Sequence, residues 1–208
     1  MKIAVVAANG KAGRLIANEL VVRGEDVTAI TRKANETDAQ GSIQKGIMEL
    51  TKDDLVGFDA VVDAFGAWTP ETLDQHSTTL AHLCSVLSGT ETRLLVVGGA
   101  GSLYVDSDHT TTLNQTPDFP EAYQPVASAM QKALNELRKR NDVKWTYISP
   151  AADFQAEGER TGEYQLGGEE LMVGSEGPVI SYADYAIAMA DEIQNGDHIQ
   201  QRISVVRK

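Results

Sequence analysis

The chain of 208 residues has a single cysteine, Cys84. No internal disulfide can form, and no cysteine-based metal cluster is available. Its four histidines, His76, His82, His109 and His198, show no metal-ligand spacing, so no metal is expected. No apolar run approaches the ~18–20 residues that span a bilayer. Cations are scarce as well. The 18 Lys and Arg face 30 Asp and Glu, for a net charge of −12. A field of that sign repels nucleic acid phosphates and anionic lipid, so neither is an expected partner. Met1-Lys2-Ile3 enters a strand pattern directly, without the charged, apolar and cleavage regions of a signal peptide. A cytoplasmic location is therefore expected. Cys84 stands among Leu80, Leu83 and Leu87 and is expected to be a packing residue.

Apolar runs alternate with helical periods along the whole chain. Strands are expected at 2–7, 26–31, 44–48, 58–64, 93–98, 144–149 and 201–206. Runs such as "DAVVDAF" and "RLLVVGG" are nearly continuous, which suits strands covered on both faces of a parallel sheet. Helices are expected at about 11–23, stopped by Gly24, and from Thr69-Pro70-Glu71 to Gly89. Two more are expected at 121–140 and 182–194, the latter capped by Ser181. In the last helix Tyr182, Tyr185, Met189 and Ile193 form the expected inner face. The alternation predicts a Rossmann-type, doubly wound α/β sheet with helices on both faces. We read 1–208 as one domain, with a small substrate-side region built from about 151–180. Segments 99–120 and 151–178 are expected as long loops at the carboxyl edge of the sheet, where such folds bind ligands.

The first strand runs into Ala7-Ala8-Asn9-Gly10-Lys11-Ala12-Gly13, with glycines at the second and third places of a G-x-x-G-x-x-G pattern. Gly10 allows close approach of a pyrophosphate, and Gly13 lets the helix pack on the strand. Asn9 tolerates a turn and can bond its own backbone. The opening helix would then point amide N–H groups at an anion. A plain βα turn that happens to hold two glycines is the alternative. The second strand ends in Thr31-Arg32-Lys33 rather than the acid that holds an NAD ribose. A guanidinium grips a 2′-phosphate, so this end favours NADP(H) over NAD(H). An ordinary exposed basic pair is again the alternative. Lys11 and Arg14 add positive charge close by.

The opening turn, "ITRK", "DAFGAW", "LLVVGGAGSLY", "WTYISPAADF", "GERTGEY" and "ISYADYAIAMADEI" together resemble the atypical short-chain dehydrogenase/reductase family with an NAD(P)H-binding domain. The likeness is to bacterial proteins described as NADH-flavin reductases, relatives of biliverdin IXβ (flavin) reductase and NmrA-like proteins. It covers nearly the whole chain. It implies that Ala64, Phe65 and Gly66 pass beside the adenosine ribose and pyrophosphate. It implies that Gly98 and Gly99 lie near the nicotinamide ribose, and that Ser149-Pro150-Ala151 ends against the nicotinamide with Phe154 covering the substrate side.

The chain departs from the classical Tyr-x-x-x-Lys pair. The candidate tyrosine is Tyr123, but position 127 is alanine and Lys132 is too distant. The partner serine is also displaced, with Ala100 at its usual place and Ser102 two residues on. Ser102 and Tyr123 are the candidates for polar assistance. Trp68 and Tyr104 follow strands at the carboxyl edge, where they could stack on a flat ring or simply pack. His109, and the charged Asp153, Glu157, Glu159 and Arg160, could face a substrate or only solvent. The expected activity is hydride transfer from NAD(P)H to a planar acceptor such as a flavin or quinone, by a monomer or homodimer. The alternative is a catalytically weak, NmrA-like NADP(H) sensor. A sugar-nucleotide epimerase or dehydratase fits less well, because those enzymes keep Tyr–Lys and carry a larger C-terminal lobe than 150–208 can build.

Overall fold

The apolar runs must leave water on both faces at once, and a sheet between two helix layers achieves this. The computed structural model describes residues 1–208. It runs β1 (Lys2–Val6), α1 (Lys11–Val22), β2 (Asp26–Thr31), β3 (Gly41–Gln44), α2 (Lys52–Leu55), β4 (Ala60–Asp63), α3 (Gln75–Leu87), β5 (Arg93–Val97) and α4 (Gln124–Leu137). The remainder is β6 (Lys144–Pro150), β7 (Asp153–Gln155), β8 (Tyr164–Gly167), β9 (Val179–Ser181), α5 (Tyr182–Asn195) and β10 (Gln201–Arg207). The main sheet has the order β3-β2-β1-β4-β5-β6-β10-β8. Every neighbouring pair is parallel except β10 and β8. Strands β7 and β9 form a separate parallel pair. This is the expected Rossmann-like architecture.

Strand periodicity divides the core in two. Ile3 and Val5 point to one face, where they pack with Ile16 and Leu20 of α1 and Tyr185 and Met189 of α5. Ala4 and Val6 point to the other, among Leu80 and Leu83 of α3, Leu134 of α4 and Tyr147 of β6. Cys84 is buried there, and burial pushes its thiol up to about 11. Gly24 and Gly89 close their helices with φ of +81° and +69°. The Ser181 hydroxyl accepts from the Asp184 N–H at 3.0 Å and caps α5. No helix is long and apolar enough to cross a membrane.

Four boundaries differ from expectation. The third strand is 41–44, not 44–48. It is a sheet edge of alternating exposure, so no apolar run marks it. The helix expected from Thr69 begins at Gln75, after a separate 3₁₀ turn at Pro70–Thr72. The Thr69 hydroxyl bonds the Thr72 hydroxyl at 3.0 Å rather than a backbone N–H, so it caps nothing. The helix expected at 121–140 is α-helical only over Gln124–Leu137, with Pro125 in its first turn. Finally, 151–178 is no open loop. It carries β7 and β8, strands too short and polar to register as apolar runs.

Polar contacts tie this last segment down. The buried Asp184 carboxylate accepts from the Thr161 N–H (2.9 Å), the Thr161 hydroxyl (2.7 Å) and the Gly162 N–H (2.9 Å). Arg160 pairs with Glu19 of α1 at 2.8 Å. At the opposite, amino edge of the sheet lies a buried charge knot. Arg93 donates to the Glu192 carboxylate (2.6 Å) and carbonyl (2.7 Å) and to the Thr146 hydroxyl (2.9 Å). His198 completes it, 2.7 Å from the second Glu192 oxygen.

Removing one partner of a buried pair strands the other charge. Arg93→Met should therefore cost about 3–5 kcal/mol in urea unfolding. The double variant Arg93→Met/Glu192→Leu should recover most of the loss. A double variant no more stable than the single one would show that packing, not charge, governs the site.

Candidate functional site

Parallel strands deliver their following turns to one edge. Strand β1 leads into α1 on one face of the sheet, while the adjacent β4 leads into α3 on the other. The crevice between them is the topological switch point, and Val6 and Asp63 are register partners at its floor.

The turn after β1 is tight. Ala7 takes φ +57°, and its carbonyl accepts the Gly10 N–H at 2.9 Å. A Cβ on Gly13 would lie 2.6 Å from the Ala7 oxygen and 3.0 Å from the Ala8 Cα, so only glycine allows α1 to sit there. A Cβ on Gly10 would lie 3.1 Å from the same oxygen. The first helical bond is Arg14 N–H to the Gly10 carbonyl, at 2.9 Å. No side chain caps α1 and its first turn holds no acid. The amides of Lys11, Ala12 and Gly13 thus have no acceptor within the protein. Free N–H groups, a positive helix end and a cradle that a Cβ would fill suit a pyrophosphate.

Asn9 does not bond its own backbone. Its Nδ2 donates to the Ala34 carbonyl (2.7 Å), and its Oδ1 accepts from the Glu36 N–H (2.9 Å). The reason is that the chain after β2 folds back over the turn. This brings Glu36 to Arg14, at 2.5 Å. Lys11 lies 4.0 Å from Glu157. Arg32 and Lys33 are exposed. Of the nine arginines in the chain, Arg32 alone stands in no ion pair.

After β4, Ala64 and Phe65 are half-buried and Gly66 and Trp68 are exposed. Phe65 meets His76 edge-on at 5.5 Å, and His76 Nε2 lies 3.0 Å from the Ala67 carbonyl. The Trp68 ring is 68 % exposed. Gly98 and Gly99 lie over β6 and α4. A Cβ on the first would lie 2.3 Å from the Tyr147 ring, and on the second 2.9 Å from Met130 Sδ. Pro150 and Ala151 are buried at the end of β6. The ends of β5 and β6 are adjacent, with Val97 opposite Ile148.

The two candidates for polar assistance are not brought together. Ser102 is buried, and its Oγ accepts from the Arg202 guanidinium at 3.4 Å. Arg202 also donates to Ser149 Oγ (3.4 Å) and pairs with Glu169. Tyr123 is 55 % exposed at the start of α4, and its hydroxyl makes no hydrogen bond within the protein. Phe154 is half-buried and packs against Tyr182 (3.9 Å) and Tyr185 (4.9 Å). Tyr104 stacks on His109 at 4.6 Å, and its backbone pairs with Glu169 and Leu171. His109 in turn reaches Glu170 at 3.2 Å. Asp153 bonds Gln155, and the Glu159 carbonyl accepts from Arg207.

Three residues escaped the reading of the sequence. Glu36 and Arg202 depend on distant partners and carry no local signal. Asp63 had one: an acid closing an otherwise apolar strand. It is buried, and burial pushes its carboxyl up to about 6 against one hydrogen bond from the Phe65 N–H (3.1 Å). The folded state thus favours protonated Asp63. Its stability falls as pH rises from the unfolded carboxylate range through 6, because the native state binds the extra proton. Asp63→Asn should gain on the order of 2 kcal/mol over the parent at pH 8 and little at pH 4.5. Urea unfolding at the two pH values checks this, and an equal difference at both would remove the ionisation from the account.

Comparison with known proteins agrees with this geometry. The profile of an NAD(P)H-binding family matches residues 7–195. A Bacillus subtilis protein, YwnB, is 46% identical over 99% of this chain and 98% of its own. A Streptococcus pneumoniae crystal structure, described as "a putative NADH-flavin reductase", is 53% identical, covers 100% of both chains and superposes with a TM-score of 0.98. A Bacteroides thetaiotaomicron protein described as a "putative epimerase" is 32% identical over 99% of this chain and 96% of its own, with a TM-score of 0.86. The chain belongs to the NAD(P)H-binding family of Rossmann-type proteins.

Proposed function

We propose that this protein is an NAD(P)H-dependent reductase that passes hydride to a flat conjugated acceptor such as a flavin or quinone. The observation that carries the reading is the uncapped start of α1 beside the one unpaired arginine. The pneumococcal relative's description supports the same activity. In this reading the whole chain is one domain, and 151–180 forms its acceptor side.

A bound reduced nicotinamide supplies the hydride. The amides of Lys11, Ala12 and Gly13 hold the pyrophosphate, with Ala8, Asn9 and Gly10 shaping the turn. Arg32 and Lys33 hold a 2′-phosphate, which gives a preference for NADP(H) over NAD(H). The backbones of Ala64, Phe65 and Gly66 flank the adenosine side, while Gly98, Gly99, Pro150 and Ala151 flank the nicotinamide side. Trp68 is free to stack on the acceptor. Phe154, fixed by Tyr182 and Tyr185, is a rigid wall, and Tyr104 lies on the flank.

The acceptor class follows from what the residues lack. Carbonyl reduction and sugar epimerisation need a positioned acid or base. Here Ser102 is bonded to Arg202, and Tyr123 has no lysine beside it. A conjugated ring delocalises the incoming charge, so alignment and exclusion of water suffice. The same absence supports a second reading, a sensor that binds the cofactor without turning it over.

A steady-state assay separates the two. NADPH oxidation with flavin or quinone is expected. Tight binding without turnover across a broad acceptor panel would select the sensor, and no binding of either nucleotide at millimolar levels would end both. Arg32→Ala should weaken NADPH binding by about 10–100-fold, the worth of charged hydrogen bonds, and NADH binding far less. Equal losses would contradict the role given to Arg32.

A further inference from the structure

The β2–β3 connection is held along α1 by side chains of α1 and its preceding turn. Asn9 fixes Ala34 and Glu36 as described, and Asn18 Oδ1 accepts from the Asp38 N–H at 2.9 Å. Inside the connection, Asn35 Oδ1 accepts from both the N–H and the hydroxyl of Thr37, at 2.9 and 2.8 Å. Position 36 is therefore placed by backbone bonds that do not depend on its charge. Its carboxylate is delivered to Arg14, which follows directly on the free amides in the first turn of α1. The corner that offers unpaired Arg32 and Lys33 to a phosphate also contains an anion.

We propose that Glu36 is a specificity-determining residue: by occupying Arg14 it withholds that cation from a 2′-phosphate, while offering an acceptor to a 2′-hydroxyl, so that NADH stays usable beside NADPH. The inference rests on the cofactor reading above. An acid hydrogen-bonded to the ribose is the usual mark of an NAD site. Here it comes from the returning connection rather than from the strand end. The Arg14 and Glu36 side chains are 45% and 58% exposed. An ion pair that open is worth no more than about fivefold in an equilibrium, so Glu36 acts as a bias and not as a lock.

Glu36→Gln tests this cleanly. It removes the charge, keeps the backbone N–H that Asn9 holds, and sits at a surface where substitutions are well tolerated. Dissociation constants would be measured for NADPH, NADH, 2′,5′-ADP and 5′-AMP, the last two lacking nicotinamide. Glu36→Gln should tighten NADPH and 2′,5′-ADP about fivefold and leave NADH and 5′-AMP unchanged or weaker. In an Arg14→Gln background the gain should shrink below about twofold, because the two residues act through one contact. A common shift for all four ligands, or an undiminished gain without Arg14, would overturn the assignment while leaving the cofactor site in place. A parent protein that binds none of the four would remove the cofactor site and this inference together.

Discussion

The structure depends on one close approach. Helix α1 starts against the carbonyl of Ala7, at a distance that a single methyl group on Gly13 would forbid. Because the helix begins there, its first amides face outward over the sheet edge with nothing to bond. Because β1 and β4 send their helices to opposite faces, those amides look into a crevice rather than onto a packed surface. Ala7 accepts a left-handed backbone to make the turn, a conformation that costs a non-glycine residue on the order of 1 kcal/mol. The rest of the sheet supplies the burial that maintains it.

Charge follows the same division. The molecule is strongly acidic, and nearly all its arginines are engaged with carboxylates. Arg93 and Arg202 are buried and pair with Glu192 and Glu169. Arg23 and Arg160 both meet Glu19 on α1. These arginines hold elements together. Arg32 holds nothing, and it stands at the end of β2 beside the uncapped helix. An exposed cation without a partner is ordinary in a basic protein. In one of −12, with acids available throughout, it is the exception, and the proposed function gives it an external anion to hold.

Much of this was legible from residues alone. Strands β1, β2, β4, β5 and β6 are apolar runs covered on both faces, so their burial appears as composition. The turn at 7–13 announces itself through Gly10 and Gly13, whose need is steric and local. The short strands β3, β7 and β8 do not, because they are partly exposed, and β9 does not because three residues are too few to form a run. The same limit applied within the site. Asn9 can bond its own backbone, but its partners are Ala34 and Glu36. Ser102 was a candidate for polar assistance, but its hydroxyl is bonded to Arg202, a hundred positions further along the chain. A polar side chain's partner is a property of the folded topology, and periodicity carries no trace of it.

The bond between Arg160 and Glu19 ties the 151–178 segment to helix α1. Glu19 lies about two turns along α1 from the amides at its start. In the proposed reading, the segment that forms the acceptor side is thus tied to the same helix whose free amides would hold the dinucleotide. Their separation would then be referred to one helix rather than to two independent elements. For a transfer whose rate falls steeply with donor–acceptor gap, that shared reference acts as a mechanical tolerance.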